Sequence, residues 1–217
     1  MSEPLSLEYY SDILCVWAWI SQTRLDELED NFGDKVAIQC HFINVFGDAP
    51  GKFATQWKDN GGLAGYRRHL EEVVEPFGLN VHEGTWRDTV PHSSLNPHLV
   101  AKAVQNIAGG EVLGQALRAI RHAFFEQARD VSDFDSLIDI VSPLDLDPAL
   151  LREDIATGKA ASALMRDYKQ AETLQLRGSP SFVLDGGRQI LFGNVGYRVL
   201  HANVEELLTP HDNATWC

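Results

Sequence analysis

The order in which hydrophobic periodicities follow one another constrains this chain most. Leu5, Leu7 and Tyr9 alternate with Ser6, Glu8 and Tyr10, the period-two pattern of a half-buried strand. Ser11 and Asp12, either of which can cap a helix, lead into a helical stretch that reaches Phe32. Trp17, Leu25, Leu28 and Phe32 share one of its faces, and Gly33 ends it. Alternation returns over 35–43, where Val36, Ile38, Cys40 and Phe42 point the same way. A β-α-β opening predicts a parallel strand pair with the helix as its crossover.

From Phe53 to Leu176 the pattern is helical, broken at Gly61-Gly62, between Pro91 and Pro97, at Gly109-Gly110, at Pro143 and at Gly158. Ser132 with Asp135 three residues on predicts a capping box. Asp147-Pro148 predicts an N-cap followed by proline in the first helical turn. Ser181–Asp185 and Arg188–Phe192 flank Gly186-Gly187, a hairpin signal, and a last helix is expected over Tyr197–Leu208. The whole reads as an α/β chain: a sheet-forming unit from 1–52 and 177–217, with an inserted helical unit at 53–176 that shares its core. No internal repeat or low-complexity tract divides it.

Charge and targeting signals narrow the function. A formal net charge of −13 argues against a nucleic-acid partner, because phosphate binding needs clustered Lys and Arg. The one basic cluster, Arg67-Arg68-His69, runs into Glu71, Glu72 and Glu75 and reads as a solvated helix face. The first residues show no basic segment followed by an apolar run, and no stretch approaches the ~20 apolar residues of a membrane span. Three scattered cysteines make no disulfide framework. A cytoplasmic, reducing setting is expected, with any cysteine chemistry catalytic or redox rather than structural. The sequon at Asn213 would then be a chance match.

Cys15 stands where the first strand hands over to the first helix. Unsatisfied N–H groups and the positive end of the helix dipole favour a thiolate there, and the thiolate is the nucleophile. A nearby Asp12 would oppose this. The alternative role is a small residue packed under the helix. Far along the chain, Gly178-Ser179-Pro180-Ser181-Phe182 sets a proline at the mouth of a strand, where an X-Pro bond is a candidate for the cis form.

Together these two segments resemble the DsbA-like branch of the thioredoxin superfamily. In that branch an S-D-x-x-C-P-x-C segment opens the first helix, and a G-V-P-x-F segment supplies a cis-proline facing the cysteine. The run Ala123-Phe124-Phe125-Glu126, with Asp130-Val131-Ser132-Asp133 after it, resembles the insertion helices of the family. His98 matches a histidine often found in them, and the ending Asn213 to Cys217 resembles tails of a cytoplasmic subgroup. The resemblance implies a thioredoxin-like fold with a large helical insertion. It also implies a catalytic Cys15, with Ser179 and Pro180 presenting backbone to a substrate; Trp17, beside the cysteine, is placed to shape a groove.

The departure lies at Val16 and Ala18, where the family has proline and a second cysteine. Without a second thiol a mixed disulfide formed at Cys15 has no internal attacker. Three consequences follow from the comparison with that branch. An external thiol such as glutathione resolves it, or Cys217 does, since seven residues past Pro210 span up to ~25 Å. In the third, glutathione is bound as a cofactor, as in the kappa-class glutathione transferases and hydroxychromene carboxylate isomerases that resemble this fold. The leading expectation is a single-cysteine thiol–disulfide oxidoreductase acting on a small thiol or disulfide, with no permanently bound cofactor. A transferase or isomerase, or a non-catalytic binding protein, are the alternatives.

The remaining candidates carry less. Cys40 sits among Ile38 and Phe42 and reads as core. Eight histidines include no pair at metal-ligand spacing, so no metal is expected. His98 reads as a packed or capping residue, and Trp17 as core as much as groove. Gly47–Lys52 is similar in outline to a phosphate loop. It has one residue too few between its glycines, and Phe53 stands where a hydroxyl is needed.

Overall fold

The computed structural model describes residues 3–209. Four strands form one sheet in the order β2-β1-β3-β4. Strand β1 (Leu5–Ser11) pairs in parallel with β2 (Val36–Phe42), so the expected crossover unit is present. It pairs antiparallel with β3 (Ser181–Leu184), which in turn pairs antiparallel with β4 (Gln189–Phe192). The central strands are therefore the first and the third. β3 is buried at every position because it lies inside the sheet with helices against it.

The first helical stretch is two helices, α1 (Val16–Ile20) and α2 (Gln22–Phe32). Ser21 joins them, its hydroxyl turned back onto the Trp17 carbonyl at 2.7 Å. Such back-bonding competes with the helix ladder and is why one predicted helix is seen as two. Between β2 and β3 lie α3 (Ala49–Thr55), α4 (Gly62–Val74), α5 (Leu95–Phe125), α6 (Phe134–Val141), α7 (Pro148–Ala156) and α8 (Lys159–Thr173). α9 (Tyr197–Leu208) follows β4.

Local signals were met unevenly. Asp147 caps α7 and Pro148 opens it, as the dipeptide predicts. The expected capping box at Ser132 is not formed. Asp133 caps α6 instead, its carboxylate accepting from the Ser136 N–H at 2.7 Å, because a carboxylate one residue later meets the same orphan N–H groups. Gly109 adopts φ +85° inside α5, a left-handed conformation that suits glycine, so the predicted break there is a local interruption. The β3–β4 turn runs through Asp185–Gly187.

The core divides between the two faces of the sheet. Leu14, Val16 and Trp19 from the first helical turns are buried in the same cluster as Val100, Leu117, Ile120 and Phe124 of α5. The Trp19 and Phe125 rings stack at 4.7 Å with 4° between planes. On the other sheet face Leu7, Tyr9, Phe182 and Leu184 pack with Leu25, Leu28, Leu200 and Val204. Among the described residues no helix is long and apolar enough to cross a membrane.

Candidate functional site

The site is built where β1 ends. Cys15 takes the N-cap position of α1 with extended backbone (φ −83°, ψ 118°). Its carbonyl accepts from the Ala18 and Trp19 N–H groups, and its own N–H donates to the Asp12 carbonyl, each at 3.1 Å. Its thiol donates to the Ser179 carbonyl, Sγ to O 3.3 Å. The Ser179–Pro180 peptide bond is cis. Ser179 is tied to the loop a second time, its Oγ accepting from the Asp12 N–H at 2.9 Å. Ser179 is thus fastened at two points to a segment 164 and 167 positions earlier.

Burial reverses one expectation. Cys15 is 6% exposed, and burial pushes its thiol up from the ordinary range. The Ser179 hydroxyl and the N–H groups of Ala18 and Trp17 pull the other way, while Asp12 pushes further up. The helix start does not yield a resting thiolate here. A five-residue helix offers a few N–H donors, and desolvation of the charged sulfur outweighs them. The site rests as a thiol with donors already in place for a thiolate.

Asp12 organises the loop, a role the sequence did not reveal. Its carboxylate is fully buried and accepts four hydrogen bonds. Leu14 N–H donates to Oδ1 at 2.9 Å. Val45 N–H at 3.0 Å, Phe46 N–H at 2.8 Å and the Ser94 hydroxyl at 2.8 Å donate to Oδ2. His98 is also fully buried, so the packed reading holds. Its Nε2 accepts from the Ile13 N–H at 3.1 Å and its Nδ1 faces the Tyr168 hydroxyl at 2.8 Å. The acceptor role fixes the proton on Nδ1 and the ring as neutral. Burial pushes its pKa down to about 4, with Asp12 opposing. The 3.7 Å approach of Nε2 to Asp12 is therefore not an ion pair.

Near the cysteine loop lie rings from the segment before α3, from α3 and α4, and from the segment that follows. Phe46, Phe53, Tyr66 and Trp86 interlock at centroid distances of 5.1 to 6.4 Å. Trp17 is half-buried and meets His69 edge-on at 6.2 Å. His69 also packs on Trp57 at 5.1 Å, so this part of the Arg67–His69 cluster is not a solvated face. Lys52 crosses the Phe46 ring at 5.0 Å. Burial pushes its ammonium down, and the Asp12 carboxylate, with Cys15 once it is a thiolate, pushes it back up. The segment that failed as a phosphate loop carries a cation toward the cysteine: Asp48 caps α3 through the Gly51 N–H and Lys52 follows one residue on.

Other candidates fall elsewhere. Ala18 is fully buried and its carbonyl accepts from the Tyr9 hydroxyl at 3.1 Å. Cys40 is a free thiol, half-buried and packed against the core on both sides, pushed up to about 11 by burial. Cys217 lies outside the described residues, as does the sequon at Asn213. Pro180 is buried and Ser179 half-buried. A cavity of about 320 Å³ runs beside the proline loop, lined by Val45, Tyr168, Arg177 and Gly178 among others. No group of three His, Cys, Asp or Glu side chains among the described residues could hold a metal.

A family model described as "DSBA-like thioredoxin domain" matches residues 6–205. The chain belongs to the DSBA-like thioredoxin domain family. This DsbA-like chain is 26% identical over 185 residues to the ClpXP adapter protein SpxH of Halalkalibacterium halodurans; the match takes in 83% of the chain. It spans only 58% of that relative's length. Among solved structures it resembles the cytosolic disulfide reductase DsbM from Pseudomonas aeruginosa (TM-score 0.71, 18% identity, 94% of this chain and 100% of that one). That reductase has also been solved with GSH. A 2-hydroxychromene-2-carboxylate isomerase superposes with a TM-score of 0.67 at 14% identity, over 93% of this chain and 95% of that one. At such identities the structural likeness establishes the fold, a thioredoxin-like DsbA fold with a helical insertion.

Proposed function

We propose that this DsbA-like protein exchanges disulfides through Cys15 alone, with glutathione as the external thiol that completes each cycle. The observation that carries the reading is the 3.3 Å contact between the Cys15 sulfur and the Ser179 carbonyl at the proline loop, in a site where Ala18 supplies no second thiol. In the first step the Cys15 sulfur attacks one sulfur of a disulfide. The S–S bond breaks, a Cys15 mixed disulfide forms, and the proton lost from Cys15 goes to the departing thiol. In the second step glutathione attacks the substrate-side sulfur, which returns Cys15 as a thiol and leaves a glutathione–substrate disulfide. Net reduction of the substrate needs a second glutathione, oxidised to its disulfide.

Ser179, with its neighbouring cis-proline, would offer main-chain groups to an extended peptide, with the cavity beside Val45 and Gly178 taking its side chains. The N–H groups of Ala18 and Trp17 and the Ser179 hydroxyl would hold the developing thiolate. Trp17 would border the groove. A reducing cytoplasm, where glutathione is abundant, is the setting this chemistry fits.

A second reading has its own support. The sulfur is 6% exposed and the curated relative is named as an adapter, which favours a binding protein on the same fold. Turnover of a small mixed disulfide with reduced glutathione, followed beside Cys15→Ser, separates the two. Turnover that the serine variant abolishes supports exchange. No turnover, or turnover that survives Cys15→Ser, refutes it. Saturable glutathione binding without turnover would move the assignment to the transferase or isomerase class.

A further inference from the structure

A cavity of about 310 Å³ lies between α2, the second half of α5 and the β1–β2 face. It is distinct from the proline-loop groove. Arg121, 1% exposed, lines it. One guanidinium N–H donates to the Ser11 hydroxyl at 2.9 Å. Its Nε is buried with no hydrogen-bond partner, and no ion pair to a carboxylate is formed among the described residues. A guanidinium carries five donors, and an arginine this deeply buried is ordinarily paired. A counter-charge is missing.

The rest of the wall limits what could supply it. Leu25, Ile38 and Leu117 give the cavity an apolar side. Asp26 does not serve, because Arg118 holds it at 2.6 Å. Glu29 and Glu111 line the same cavity, are exposed at its rim, and form no ion pair among the described residues, the nearby Arg118 being held by Asp26. Burial and the Asp26 charge push the Glu29 carboxyl up, with Arg118 opposing, so a further cation beside it would be favoured. A simple anion would satisfy Arg121 and be repelled at the rim. A molecule with a carboxylate at one end and an ammonium at the other satisfies both.

We propose that this cavity binds a small apolar α-amino acid, its carboxylate on Arg121, its ammonium toward Glu29 and Glu111 and its side chain against Leu25, Ile38 and Leu117. The volume is ample for one such molecule. Gly114 on α5 leaves the space open: a Cβ there would meet only the Arg118 side chain, at 3.7 Å.

Calorimetric titration of the full chain with leucine, methionine and phenylalanine tests this, with leucinamide and 4-methylpentanoate as ligands lacking the carboxylate and the ammonium. At least one amino acid should bind saturably, and its binding should weaken roughly tenfold or more when the carboxylate is removed, as expected for loss of a charged hydrogen-bonding partner. Arg121→Met should abolish binding. Because that variant can fail to fold, Gly114→Leu fills the cavity from a helix position that favours leucine over glycine, and it should abolish binding as well. In a Cys15→Ser background, bound ligand should also slow alkylation of Cys40, which lines the same cavity. No binding by any of the three, binding that survives Gly114→Leu, or equal affinity for leucinamide would each overturn the proposal.

Discussion

Replacing Asp12 by asparagine removes one oxygen and one charge from the most connected point of the cysteine loop. The carboxylate accepts from three backbone N–H groups and the Ser94 hydroxyl, all at 2.8 to 3.0 Å. Asparagine placed with its oxygen toward Val45, Phe46 and Ser94 keeps three bonds and sets its NH2 group against the Leu14 N–H. Each bond kept loses its charge assistance, worth about 1 kcal/mol. The opposed donor costs about 1–3 kcal/mol more. Relief from burying a charge offsets part of this, leaving a net loss of about 3 kcal/mol. Urea unfolding read at two wavelengths gives the value, with Ser94→Ala as a single-bond comparison at about 1 kcal/mol. The same substitution removes a charge that holds the Cys15 thiol up, so Cys15 should alkylate faster than in the parent at neutral pH. A stability loss under about 1 kcal/mol, or an unchanged alkylation rate, would refute the claim that this carboxylate organises the loop.

Three further predictions rest on separate observations. His98 is held neutral with its pKa at about 4 against 6.5 when unfolded, so the unfolded chain alone takes up this proton between those values. The stability it contributes is full above pH 6.5 and falls by up to about 3 kcal/mol as pH drops toward 4; His98→Gln should flatten that part of a stability–pH curve. Ser179→Ala removes a hydroxyl that draws the Cys15 thiol down, so the pH midpoint of iodoacetamide labelling should rise, and a fall would contradict the site description. Lys102→Met removes the ammonium from the buried Asp167, which keeps His41 Nδ1 at 3.1 Å and the Phe42 N–H at 2.8 Å. Unfolding should show a loss of about 3 kcal/mol, the low end for breaking a buried pair because His41 stays beside the carboxylate, partly recovered when Asp167→Asn is added.

What the sequence discloses and what it conceals divide along the range of the interactions. The β-α-β opening and the closing hairpin are legible because each signal is local, alternation, a cap and a turn, while the meeting of Cys15 with the Ser179–Pro180 loop is implied by the family resemblance of the two segments. The role of Asp12 is not, since its donors come from Val45, Phe46 and Ser94, brought in from other elements of the fold. Arg121, Lys102 and Asp167 sit on helices whose charges look like solvated faces, and only the packing of α5 and α8 against the sheet reveals them as buried. Cys15 shows the same division. Its place at a helix start is readable, but the sign of its pKa shift depends on the helices and loops that cover the sulfur.

Intact mass measurement after exposure to oxidised glutathione probes the single-cysteine account at its root. One glutathione should be added, mapping to Cys15 on peptide digestion without reductant, and reduced glutathione should remove it. A chain that stays unmodified while its thiol remains titratable in denaturant, or an adduct found at Cys40 instead, would contradict it.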